Sequence, residues 1–249
     1  MKVTLLNYTQ DAKELLIFSK KTRLKMSPDS FAKIKNISEE QKQKELQYVF
    51  GTIGSSWEFV DYVFMIEKVS RVLTHQLIRH RVGVSYAQQA HRVINFSEGF
   101  EYLASGKCQE LEEYHNCMIE IQKAYHKCIE KGANVQDIRG ILPQHIFTNI
   151  MMKVNLRALS GILNVRLCYK VQDQMQDLAK ALRQEVLAVH PWTEPILRVH
   201  CAQHGTCLFP GYKECPLKVK GLIPKVDTDA ILTEWENTQH EVQPQEDKS

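Results

Sequence analysis

"EFVDYVFMIEKVSRVLTHQLIRHR", residues 58–81, changes its periodicity at Ser70. Up to Val69 the run is rich in Val, Phe, Tyr and Ile, side chains suited to the pleated, half-buried surface of a strand. Beyond it, Val72, Leu73, Gln76 and Leu77 share one helical face, and Ser70 is a residue type that accepts from the free N–H groups of a first turn. The stretch therefore predicts a strand over 58–69 that feeds a helix over 71–81. Within a chain of 249 residues, 43% of them hydrophobic, this points to a mixed α/β or α+β fold with a real core.

The flanking sequence extends the pattern. "VTLLNY" (3–8) reads as a short first strand and "DAKELLIFSKKTR" (11–23) as a helix. "ISEEQKQKELQYVFGTIG" (37–54) has helix-forming composition, an apolar stripe of Leu46, Val49, Phe50 and Ile53, and a stop at Gly54. Residues 110–131 are helical by composition. The clearest helix is "YKVQDQMQDLAKALRQEVLAVHPW" (169–192), where Val171, Met175, Leu178, Leu182, Val186 and Val189 recur at helical spacing and Pro191 ends the run. There is no internal repeat. The organisation expected is a main domain over 1–199, a Cys/His-rich extension over 200–223 and a polar, flexible tail over 224–249.

Bulk properties exclude several classes. A net charge of +3 is too small for a nucleic-acid coat, and no apolar run has the length of a membrane span. The N-terminus acquires Asp and Glu before an apolar stretch develops, unlike a signal peptide. Seven Cys, an odd number, read as reduced thiols, so a cytoplasmic protein is expected. Cys108, Cys117, Cys128 and Cys168 read as small core residues, as do Met151, Met152 and Met175. The basic run "FSKKTRLK" (18–25) reads as a solvated face.

The densest chemistry is in "HQLIRHRVGVSYAQQAHRV" (75–93). It holds Arg79, Arg81, Arg92, His75, His80 and His91 without a single Asp or Glu. Guanidinium groups this close repel one another unless an anion lies among them, and their planar forks match phosphate oxygens. Ser85, Gln88, Gln89 and backbone amides supply further contacts for a phosphate or a pyrimidine. The alternative is a solvated basic turn.

This segment resembles the flavin-dependent thymidylate synthases, whose signature is Arg-His-Arg, seven residues, Ser, one residue, Arg-Tyr. The resemblance continues in "DIRGILP" (137–143), "VNLRALSGILNVR" (154–166) and "HPWT" (190–193), four blocks in the family's order over residues 3–197. It implies a single α/β (α+β) domain, with a central antiparallel sheet flanked by helices. It also implies a homotetramer with shared active sites and reductive methylation of dUMP, with methylenetetrahydrofolate as carbon donor, FAD as hydride carrier and NADPH as reductant. Carried over by position, Ser56, Arg79, His80, Arg81, Gln88, Asn155 and Arg157 would hold FAD. Gln76, Gln88, Ala90, Arg92, Arg139 and Arg166 would hold the nucleotide, with Arg79 and Arg166 acting in the reaction. A cation at the pyrimidine carbonyl suits the negative charge that develops there on hydride attack.

The chain also departs from that pattern. One extra residue separates Arg81 from Arg92, Ala90 takes the place of the Ser, and Val93 that of the Tyr. Gly54 stands where the family has His, and Gly161 where it has a second Asn. Of its Ser-His-Ala-Gln only Gln172 is kept. The alternatives are a same-fold enzyme that methylates or hydroxymethylates UMP, dCMP or dUMP, or a non-catalytic nucleotide- or RNA-binding relative. Nucleic acid is the weaker partner, because exposed aromatics do not interleave with the charge. In "HCAQHGTCLFPGYKECPLK" (200–218), Cys201, His204, Cys207 and Cys215 are candidates for a structural zinc, but their spacing matches no paired knuckle. No metal is the reading preferred.

Overall fold

Four strands form one antiparallel sheet in the order β1-β2-β4-β3. They are β1 (Lys2–Tyr8), β2 (Asp61–Ser70), β3 (Val84–Gln88) and β4 (Phe147–Asn155). The structure, a computed structural model, describes residues 1–22, 26–219 and 221. The tail expected over 224–249, the last residues of the Cys/His-rich extension and residues 23–25 lie outside the described residues.

Strand alternation fixes which face is buried. Tyr62, Phe64 and Ile66 of β2 pair with Val154, Met152 and Ile150 of β4, and all six are fully buried. Helices cover this face: α1 (Ala12–Ser19), α3 (Glu39–Phe50), α4 (Arg71–Leu77), α7 (Leu156–Arg166) and α8 (Asp173–Val189). Leu16, Val49, Leu73, Leu163 and Leu182 from these helices join the sheet residues in one core. A second, smaller core of Phe100, Met118 and Ile146 lies under α5 (Glu112–Glu130). The remaining helices are α2 (Pro28–Lys35), α6 (Val135–Ile138), α9 (His200–His204) and α10 (Pro216–Val219).

The junction at Ser70 forms as its sequence requires. A register shift between Ile66 and Val69 puts Lys68 in the left-handed region (φ 53°), and its N–H donates to Asn149 Oδ1 at 3.0 Å. Ser70 Oγ accepts from the Leu73 N–H at 3.2 Å and donates to Gln174 Oε1 at 2.6 Å. This ties the start of α4 to α8. The helix is shorter than 71–81, however, and ends at Leu77. Residues 54–59 form a 3-10 turn instead of the start of a strand.

Seven elements were not read in the sequence: the strands β3 and β4, the helices α2 and α7, and the short helices α6, α9 and α10. Other corrections concern burial. Cys117 is exposed and Cys108, Cys128 and Cys168 are half-buried, so these thiols lie outside the core. Met151 is exposed because it lies on the outer sheet face, opposite Met152 and the helices.

His190, at the end of α8, is buried among the rings of Tyr62, Tyr8 and Trp192. The Tyr62 hydroxyl is hydrogen-bonded to its Nδ1 at 2.9 Å. Burial pushes the imidazole down to about 4. The folded value thus lies below the unfolded one, about 6.5. The stabilisation is complete above that value and is lost as pH falls from 6.5 towards 4. Thermal midpoints over pH 4–7 should show this slope, on the order of 2 kcal/mol. His190→Asn should flatten it.

Candidate functional site

The Arg-His-Arg turn is held in place by a tyrosine. Tyr86, on β3, donates to the Leu77 carbonyl at 2.9 Å and lies 3.1 Å from the His80 carbonyl. The carbonyls at the end of α4 thereby find a partner, and the chain leaves the helix before Arg79. Gly83 (φ 72°) makes the return into β3.

His80 and Arg166, 86 residues apart in sequence, meet at this turn. Arg166 Nε donates to His80 Nε2 at 3.2 Å, so the imidazole is neutral and carries its proton on Nδ1. Burial first, then Arg166 and Arg79, push the His80 pKa down. Burial and Arg79 lower that of Arg166, which still remains charged. Arg79 and Arg81 are exposed beside this pair.

A second group forms around the start of α4. Arg71 Nη1 lies 3.4 Å from His91 Nδ1, and both line a cavity of about 320 Å³ with Arg139, Gly140, Leu142, Pro143 and Gln144. Among the described residues, Arg71, Arg79, Arg81, Arg92, Arg139 and Arg166 form no ion pair. Arg157, Arg183 and Arg198 each do. Clustered guanidinium groups without carboxylates favour an anion.

The remaining candidates lie elsewhere. Asn155 caps α7 through Oδ1, accepting from the Ala158 N–H at 2.8 Å. Arg157 forms an ion pair with Glu58 at 2.6 Å, across from the 3-10 turn that holds Ser56. The Ser56 hydroxyl is buried and has no hydrogen-bond partner, as is the Trp57 indole N–H. Gln76 donates to Gln172, and Gln88 Nε2 lies 3.5 Å from Thr148 Oγ1. Ala90 and Arg92 are exposed. One set of candidates is thus at the start of α7 and another at its end, about 16 Å apart at 1.5 Å per residue. A Cβ at Gly161, between them, would meet no atom within 4 Å, while one at Gly54 would touch the Trp57 ring at 3.4 Å.

Arg71, Tyr86 and His91 were missed as functional candidates. Arg71 and His91 carried a signal, since both lie in a run (68–97) without Asp or Glu, but the first was read only as part of a helix. For Tyr86 the only signal was the alternation of β3.

The Cys/His segment shows no metal geometry. Among the described residues no three His, Cys, Asp or Glu side chains converge on one point. His200 uses both nitrogens, towards Asn164 Oδ1 (2.9 Å) and Thr206 Oγ1 (3.1 Å), and Cys207 Sγ accepts from the Phe209 N–H. Cys201 is half-buried, His204 is exposed with its ring 4.6 Å from that of His200 and tilted by 41°, and Cys215 is buried. Among the described residues no helix is long and apolar enough to cross a membrane.

Residues 4–192, which hold every one of these cationic groups except Arg198, match the family model described as thymidylate synthase complementing protein. The chain belongs to this family. A flavin-dependent thymidylate synthase of Pyrococcus furiosus is 34% identical over 223 residues, covering 83% of this chain and 89% of that one. One from Sulfurisphaera tokodaii is 32% identical over 213 residues, with coverages of 82% and 80%. The fold is similar to that of thymidylate synthase X from Helicobacter pylori, solved with FAD and dUMP. The TM-score is 0.63 at 20% identity, over 82% of this chain and 100% of that one. The family match spans β1 through α8, so the sheet, the Arg-His-Arg turn and α7 belong to the shared fold.

Proposed function

We propose that this chain is a flavin-dependent thymidylate synthase, which converts dUMP to dTMP with methylenetetrahydrofolate as carbon donor. The observation that carries the reading is the acid-free group of Arg79, His80 and Arg166, set on a family fold whose relatives bear that activity. FAD, as resident cofactor, supplies the hydride that reduces the transferred carbon.

The residues present fit such a cofactor. Arg79 and Arg81 offer unpaired guanidinium forks to a diphosphate, and His80, as a neutral ring, offers an Nδ1–H. The buried hydroxyl of Ser56 lacks a partner, as a residue that meets a ligand would. Asn155 and Arg157 can join only in part, because the first caps α7 and the second is paired with Glu58. Gln88 adds an amide on β3. The separation of the two sets at opposite ends of α7 suits an extended cofactor, or a homotetramer whose subunits complete one another's sites.

For the nucleotide, Arg139, Arg92 and Gln76 are the anion and amide ligands. Arg166, held by His80, directs its remaining N–H groups to the pyrimidine carbonyl. A fixed cation there stabilises charge that develops on the ring, without the reorganisation that water requires. NADPH is the reductant in this reading. Residues 1–199 are the catalytic unit in this reading, and the start of the Cys/His-rich extension is tied to α7 where His200 and Gln203 meet Asn164.

Two measurements test the assignment. Purified protein should show a flavin visible spectrum that shifts on titration with dUMP. A protein that neither carries nor takes up flavin, and ignores dUMP, would overturn the reading. For Arg157→Ala, an exposed pair is removed, so the thermal midpoint should change by less than about 1 kcal/mol equivalent. Flavin retention on gel filtration should fall if the arginine leaves Glu58 for the cofactor, and retention equal to wild type excludes it from the site.

A further inference from the structure

The cavity beside α4 contains a residue that none of the roles above uses. His91 is buried at 4% exposure, yet its ring borders a polar cavity of about 320 Å³ shared with Arg71, Arg139 and Gln144. It follows directly on Ala90, the position that lacks the family's hydroxyl. Its Nδ1 lies 3.4 Å from Arg71 Nη1, and its ring meets the Phe147 carbonyl from β4 and the Phe96 ring at 5.2 Å. Tyr125 lies behind Phe96. The groups that face it are thus two guanidinium ions, one from α4 and one following α6, a carbonyl and the Phe96 ring. Among the described residues neither arginine has a carboxylate partner.

Resting on the nucleotide reading above, we propose that His91 is a further ligand of the nucleotide 5′-phosphate beside Arg71 and Arg139, replacing the hydroxyl donor absent at Ala90 and taking up a proton as the phosphate binds. Three features support this. The ring is fixed by packing, so little entropy is lost on binding. The cavity offers donors from three directions and no competing anion. Burial, Arg71 and Arg139 all hold the ring neutral without ligand. A dianion placed between the two arginines reverses that field and raises the imidazole pKa. The ring then becomes a charged donor, whose hydrogen bond to phosphate is stronger than a neutral one.

The test is calorimetric titration of the flavin-loaded protein with dUMP at pH 7.5, in two buffers of different ionisation enthalpy. A phosphate monoester with a second pKa of about 6 is nearly all dianionic there, so any proton taken up belongs to the protein. Wild type should take up a fraction of a proton. His91→Gln should take up none and bind dUMP roughly ten- to a hundredfold more weakly. Deoxyuridine, which lacks the phosphate, should bind both proteins equally. Proton uptake of zero in wild type overturns the proposal, whether or not the variant folds. So does a folded His91→Gln with wild-type dUMP affinity. If dUMP does not bind at all, the functional reading fails, and inorganic phosphate replaces it as titrant. Inorganic phosphate can itself give up a proton at pH 7.5, so the difference between the two proteins is read: a larger net proton uptake by wild type than by His91→Gln would then retain the anion site, and equal values would sink it.

Discussion

Arg166→Ala lowers turnover of dUMP by about 10²–10³-fold, the loss seen when one preorganised donor is removed from a developing anion. The size follows from the placement of the side chain. Its Nε is committed to His80 at 3.2 Å, so the guanidinium plane is fixed before substrate arrives. The side chain is half-buried and lies beside a second cation, Arg79, where charge is poorly screened and an arriving electron-rich group is strongly attracted. Arg166→Lys should recover little, because an ammonium cannot bond His80 and the substrate through one rigid fork. The thermal midpoint of Arg166→Ala should equal or exceed that of wild type, since the change relieves repulsion with Arg79. Single-turnover rates of flavin oxidation, measured beside thermal midpoints, separate this outcome from a folding defect. An unchanged rate in the alanine variant would remove Arg166 from the reaction.

Gly83→Ala destabilises the protein by about 2–3 kcal/mol, the sum of left-handed strain and a damaged helix cap. Gly83 has φ 72°, and a Cβ built there would lie 2.5 Å from Asn155 Nδ2 and 2.9 Å from its Cγ and Oδ1. Asn155 has little freedom to yield. Its Oδ1 caps α7 and its backbone N–H donates to the Gly83 carbonyl at 3.0 Å. The methyl group therefore pushes on the start of the helix whose far end carries Arg166. A fall in thermal midpoint of roughly 5–10 °C is expected for a chain of this size. Combining Gly83→Ala with Asn155→Ala should cost less than the two single changes together, because the second removes the atoms that the first strikes. Additive costs would show that the contact does not carry the effect.

Much of the fold was legible because it depends on local signals. Ser70 announced the β2–α4 junction, and the three- and four-residue spacing from Met175 to Val186 announced α8. β4 was not read, although "FTNIMMKVN" alternates well once its partners are known. Its outward residues include Met151, an apolar side chain on an uncovered face, which blurs the alternation. β3 escaped because its five residues lie inside the charged motif, and its pairing with β4 is a long-range fact. The same holds for the site. The resemblance supplied Arg79, His80 and Arg166 as separate candidates, but only the fold brings the end of α7 beside the turn that follows α4. Tyr86, which fixes the turn, looks in sequence like any aromatic in a strand. His91 and Arg71 lie 20 residues apart in sequence, and only the fold makes them neighbours.

Methylation of dUMP with a flavin and a folate can be observed in one reaction mixture. The direct test is to incubate the purified protein with FAD, NADPH, methylenetetrahydrofolate and dUMP, and to identify the nucleotide product by mass. The expected result is dTMP, heavier than dUMP by one CH₂ group, formed only when flavin and folate are both present. A hydroxymethyl product, or turnover of UMP or dCMP with dUMP untouched, would contradict the assigned reaction. No product from a protein that binds neither flavin nor dUMP would contradict the account as a whole.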